Sequence, residues 1–197
     1  MIFRGLANFL GFQSVWFLSL FGAGTHKSWL GAVALVVFTV WHFRATPNPR
    51  AELLLVAIAC LVGFVVDTTF IQANLLAYSE PLPFAAVAPY WILGMWINFA
   101  LTLNGSMRWL HGRYLLAAGL GAIGGPLAYV AGIKLGAAEL LASKTVVYGA
   151  LAVVWAIAVP LLVWATDWVN SLWPQSGPQS GPPSAPERHP MRAGAGG

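Results

Sequence analysis

Asp67 is the one acidic residue set well inside a long apolar run of this chain. An ionisable group at that depth is costly in hydrocarbon and marks a functional position by default. Lys134 lies at a similar depth near the far end of another apolar run. An Asp67–Lys134 ion pair would let both charges be tolerated. Two other readings stand beside it: a carboxylate that caps the helix end or meets water, and a proton or substrate site. Asn8 and Gln13 bring amide groups to the first apolar run, and Asn98 to the fourth. Pro126 interrupts the fifth run, removing one backbone N–H and pushing away the carbonyl of Ala122. Counted outward from the Gly105–Arg113 turn, Asn98 and Pro126 fall at the same depth. The Asn98 amide is therefore expected either to donate to the Ala122 carbonyl or to bond another helix.

Familiar catalytic patterns are missing. There is no H-E-x-x-H zinc motif, and His26, His42, His111 and His189 fall in separate loops, tails or helix ends. No metal cluster is expected from them. Gly121, Gly124 and Gly125 lack the Lys-Ser/Thr ending of a phosphate loop, and no serine sits in a nucleophile elbow. No carboxylate pair is placed for acid–base work. Cys60 is the single cysteine, so it can form no disulfide within the chain. Neither a metal nor a cofactor is expected.

The elements that must carry these residues are membrane helices. The chain is 58% hydrophobic and 8% charged, against about 25% charged in a soluble domain. Lipid is the expected solvent and partner. The net charge of +4 comes without a dense Lys/Arg run, so nucleic-acid binding is not expected. A spanning helix needs about 20 mainly apolar residues. Six candidates run over about 5–23, 28–43, 52–71, 89–107, 114–135 and 145–168. The first lacks the h-region and exit of a cleaved signal peptide. The expectation is an all-α bundle over residues 1–173. A Pro/Gly/Ser-rich, disordered cytoplasmic tail follows over 174–197. Six spans put both termini on one side with Arg4, Arg44, Arg50, Arg108 and Arg113, while Lys27, Lys134 and Lys144 face the other. The positive-inside rule makes the first side cytoplasmic.

Trp29, Trp41, Trp91, Trp109, Tyr114, Trp164, Trp168 and Trp173 are placed for the membrane interface, whereas Trp96 and Trp155 fall deeper and are expected to pack between helices. The connector over 72–88 is apolar and broken by Pro81 and Pro83. It reads as a surface-lying segment rather than a lid. The fifth helix carries two stripes of small residues, Gly124–Ala128–Gly132–Gly136 and Ala117–Gly121–Gly125. Small residues let helix backbones approach in lipid, so the fourth and fifth helices are expected at the centre of the bundle. Internal packing is favoured there over a homodimer seam.

The segments NFLGFQSVW, PYWILGMWINFALTLNGSMRWL and GAIGGPLAYVAGIKLG resemble a bacterial membrane-protein family, domain of unknown function 2878, over about residues 5–170. The motif is carried by Asn8, Gln13, Trp16, Trp91, Trp96, Phe99, Leu103, Asn104, Gly125, Pro126, Tyr129, Gly132 and Gly136. The resemblance implies a multi-pass protein of the bacterial inner membrane and no particular activity, substrate or cofactor. Three functions remain in view. The first is a non-catalytic membrane component, accessory to envelope lipid metabolism. The second is a small transporter or exporter subunit with a polar path through Gln13, Asp67 and Asn98. The third is an intramembrane lipid-modifying enzyme, which would need at least two ionisable groups facing one cavity. The residues leave the oligomeric state open.

Overall fold

A computed structural model describes residues 2–173. Residues 174–197, where the tail was expected, lie outside the described region. Among the described residues there are six α-helices: α1 (Ile2–Gly24), α2 (Trp29–Ala45), α3 (Pro49–Gln72), α4 (Tyr90–Leu103), α5 (Tyr114–Lys134) and α6 (Lys144–Leu172). A single 3-10 turn, Arg108–Leu110, joins α4 to α5, and two short strands, β1 (Leu76–Tyr78) and β2 (Ala138–Leu140), lie in the connectors.

Helices α1, α3, α5 and α6 are long and apolar enough to cross a membrane, while α2 and α4 are shorter apolar helices. With 17 and 14 residues, α2 and α4 reach about 26 and 21 Å at 1.5 Å per residue, short of a hydrocarbon core of about 30 Å. Their ends are set by local chemistry. The Asn48 side chain accepts from Ala51 N–H at 3.3 Å, and Pro49 starts α3, the expected N-cap pairing. Ser143 begins α6 in the same way, accepting from Val146 N–H. Gly136, with φ of +75° just beyond α5, takes the left-handed position that closes a helix C-terminus.

Helix α4 is the centre of the bundle. It packs on α1, α2 and α3, and buries Trp91, Trp96, Asn98, Leu101 and Leu103 among others. Helix α5 is not central, contrary to expectation. It packs chiefly on α6 and buries only Ala117, Gly121, Gly125 and Gly132. Leu115, Ile123 and Leu127 of α5 are exposed, Leu115 at 92%. That outward apolar surface suits lipid, since lipid lacks the cohesion that drives leucine out of water.

The strands pair antiparallel in the register Leu76↔Leu140, Ala77↔Glu139, Tyr78↔Ala138. This ribbon ties the α3–α4 connector to the α5–α6 connector. Ser79 N–H donates to the Ala137 carbonyl at 3.0 Å, and Ser79 Oγ donates to the Gly136 carbonyl at 2.5 Å. Ala88 N–H donates to Thr68 Oγ1 at 3.1 Å. Leu76, Tyr78 and Ala88 are buried, whereas Leu82 and Phe84 stay exposed. The 72–88 connector is thus not the surface-lying segment expected. Its strand folds inward because a partner strand is available to satisfy its backbone, while residues 72–74 and 81–86 stay exposed.

A carboxylate at the end of an apolar chamber

Asp67 lies near the end of α3 closest to the ribbon, with 0% of its surface exposed. Three protein donors reach it from three other elements. Tyr129 of α5 donates to Oδ1 at 2.5 Å and Trp96 Nε1–H of α4 donates to Oδ2 at 2.6 Å. Tyr78 of β1 also donates to Oδ1. The two phenol oxygens are 3.2 Å apart. A carboxylate is an acceptor with room for several donors, so its burial is compensated within the protein. Burial first, then the Asp67 charge, holds the Tyr78 phenol well above its ordinary range. It therefore remains a donor.

Packed aromatics set these donors. Trp96 stacks on Trp155 at a centroid distance of 4.8 Å and 10° between planes. Phe99 meets Trp155 edge-on, as Tyr78 meets Trp91. The indole of Trp91 donates to the Ser79 carbonyl at 3.1 Å. Glycines make the room. A Cβ on Gly63 would collide with Trp96, and one on Gly121 or Gly125 would collide with Trp155. The stripe Ala117–Gly121–Gly125 is therefore the α5–α6 seam, as small residues at that spacing imply. Trp96 and Trp155 pack between helices as expected. Trp91, in the first turn of α4, is turned inward and buried against Tyr78 rather than exposed at a helix end.

The second stripe has another role. Gly124, Ala128 and Gly132 line a cavity of about 400 Å³, and a Cβ on Gly124 would meet no atom within 4 Å. Facing them across the cavity are Phe12, Trp16 and Leu20 of α1. Met95, Phe99, Met107 and Leu110 extend the wall away from the ribbon, and Asp67 with Tyr78 and Tyr129 marks the ribbon end. Because α1 packs on α2 and α4 while α5 packs on α6, the chamber fills the space between α1 and α5. Their ribbon-side ends meet, for a Cβ on Gly24 would strike the Leu135 carbonyl. The volume is that of an ordinary ligand cavity, about 300–1,000 Å³.

The other residues singled out in the sequence disperse. Lys134 is exposed and makes no ion pair with Asp67. The aromatic donors occupy the place expected for it. Asn98 is buried and donates to the Phe12 carbonyl at 3.1 Å, not to Ala122, because α4 lies against α1. Gln13 is exposed. Pro126 is half-buried within a continuous α5. Gln13, Asp67 and Asn98 therefore form no common polar path. Nor does the apolar chamber contain a second acid or a base beside Asp67 among the described residues.

A second cavity lies at the opposite end of α1 and was missed by sequence reasoning. His42 and Glu52, at neighbouring ends of α2 and α3, come within 3.3 Å, with 8% and 4% of their side chains exposed. Both line a polar cavity with Arg4, Asn8, Asn104, Arg108, His111 and Asn170. The histidines looked scattered because their helix ends are far apart in sequence. The available signal was that His42, Glu52, Arg108 and His111 all fall on one predicted side. No group of residues suited to a metal ion occurs among the described residues.

Apolar helices long enough for a membrane, an outward apolar surface and an apolar chamber between α1 and α5 together define a membrane-type helix bundle. The chain belongs to the family described as "Protein of unknown function (DUF2878)", whose model matches residues 5–161, from the first turns of α1 to just past Pro160 in α6. No curated protein and no solved structure matches the chain significantly.

Proposed function

We propose that this is a multi-pass bacterial inner-membrane protein that holds a long apolar lipid chain in the chamber between α1 and α5. In this reading it serves as a non-catalytic component accessory to envelope lipid metabolism. One observation carries the reading: a cavity of about 400 Å³ walled almost wholly by apolar side chains and open along α5, between two helices that lipid would flank. An apolar chain leaving the bilayer gives up no hydrophobic burial there and gains close packing contacts. Asp67 supports the reading, since its three donors leave it as a fixed part of the wall. The arginine distribution favours cytoplasmic termini and, with them, a ribbon on the opposite side.

The test is native mass spectrometry of the purified protein with a long-chain lipid added after delipidation. One retained lipid per chain is expected for the wild type. Gly124→Leu fills the chamber without a collision at its Cβ and should retain about tenfold less lipid, equivalent to about 1.4 kcal/mol. Equal retention by both proteins would refute the reading.

A further inference from the structure

The polar cavity shares α1 and the α4–α5 turn with the apolar chamber. Asn8 lines the polar cavity and Phe12, one helical turn on, lines the chamber. Arg108 and His111 line the polar cavity, while their sequence neighbours Met107 and Leu110 line the chamber. The two spaces therefore lie end to end, with Asn8 at the boundary. Its Nδ2–H donates to the Leu101 carbonyl at 3.0 Å, and its Oδ1 accepts from Ser106 N–H and Oγ–H at 2.9 and 2.8 Å. These bonds fix the α4–α5 turn to α1.

The polar cavity is not neutralised from within. Arg4 and Arg108 line it, and neither has an acidic partner among the described residues. One carboxylate, Glu52, faces it. That group is turned toward His42 and also accepts from Thr46 Oγ1 at 3.3 Å. Asp167, nearby, is engaged by His111, Gly112 N–H and Tyr114. His42 Nε2 and Glu52 Oε2 are both buried and lie 3.3 Å apart, so the one carboxylate of the cavity is taken up by the imidazole and leaves the arginines uncompensated. Asn104 and Asn170 add amides already bonded to each other at 2.8 Å. Two arginines without acidic partners, with amides beside them around one space, are a donor set that recognises phosphate oxygens.

We propose that the polar cavity binds the phosphate-ester headgroup of the lipid whose chain lies in the apolar chamber, with Arg4 and Arg108 as its charged contacts. This rests on the lipid-chain reading and adds the ligand's class: an anionic phospholipid or another long-chain phosphate ester, with its headgroup on the arginine side.

The experiment measures affinities of the full-length protein in detergent for dioleoyl phosphatidic acid, dioleoylglycerol and inorganic phosphate. Wild type is expected to bind phosphatidic acid at least tenfold more tightly than dioleoylglycerol, since a charge-assisted hydrogen bond contributes about tenfold or more. The doubly substituted Arg4→Gln/Arg108→Gln protein should lose that preference yet keep its dioleoylglycerol affinity. Arg4→Lys/Arg108→Lys should recover part of it. Both arginines are exposed, so the variants should fold, and an unchanged melting temperature confirms it. Phosphatidic acid preference that survives Arg4→Gln/Arg108→Gln overturns the proposal. Inorganic phosphate bound as well by Gly124→Leu as by wild type, with no phosphatidic acid preference, overturns the lipid source and leaves a free-phosphate site. Wild type that binds dioleoylglycerol and phosphatidic acid equally overturns the headgroup site while sparing the apolar chamber. Failure to bind either lipid overturns the chamber reading as well.

Discussion

The two cavities solve the problem of polar groups inside an apolar bundle in opposite ways. In the apolar chamber the one charge, Asp67, is met entirely by the protein, with Tyr78, Tyr129 and Trp96 delivered by β1, α5 and α4. In the polar cavity Arg4 and Arg108 remain without an acidic partner among the described residues. A fully compensated buried group contributes to structure, because removing one side leaves the others orphaned. An uncompensated one is free to take its partner from outside. The contrast separates a buried acid that holds the fold from exposed bases that suit a ligand.

This contrast can be broken by substitution. Asp67→Ala should orphan two phenols and an indole N–H and lower stability by about 4 kcal/mol, at about 1–3 kcal/mol per orphaned group. A loss of thermal stability in detergent as small as that of a surface change would remove Asp67 from its structural role. Gly125→Leu should cost about 2–3 kcal/mol through overpacking against Trp155, whereas Gly124→Leu, one residue away and facing the chamber, should leave the melting temperature nearly unchanged. Equal effects at the two glycines would mean that the stripes do not divide between seam and cavity. Asn8→Ala removes three hydrogen bonds at the boundary between the cavities and should cost about 2 kcal/mol, read by thermal unfolding or by hydrogen exchange in the 104–113 turn. Tyr129→Phe removes one of Asp67's three donors and should cost about 1 kcal/mol. Arg4→Gln and Arg108→Gln should change stability least of all while changing ligand preference most.

The helices were readable from the chain because apolar length and turn chemistry are local properties. Pro49 with Asn48, the Gly105–Arg113 turn and Ser143 with Lys144 fall where the apolar runs break. The unusual status of Asp67 was readable for the same reason. Its partners were not. A charged residue suggested a charged partner, Lys134, but three aromatic side chains carry the donors, and one of them arrives only because the 72–88 connector folds back as a strand. For Asn98 the residues left two partners open, the Ala122 carbonyl or another helix; because α4 packs on α1, the amide bonds the Phe12 carbonyl of α1. The small-residue stripes of α5 gave the correct spacing and half of the meaning: one face closes on α6, and the other stays open because nothing large projects into it. His42 and Glu52 meet where the short 46–48 connector turns α2 back into α3, a contact no helical spacing rule contains.

The central claim is that the chamber between α1 and α5 holds a lipid chain whose phosphate-bearing end lies by Arg4 and Arg108. It is tested most directly by density for the full-length protein in nanodiscs containing phosphatidic acid. Tubular density is expected along Phe12, Trp16, Gly124 and Ala128, continuing to a compact headgroup feature within hydrogen-bonding reach of the two arginines. A well-resolved protein with an empty chamber, or with side chains collapsed into it, would contradict the claim.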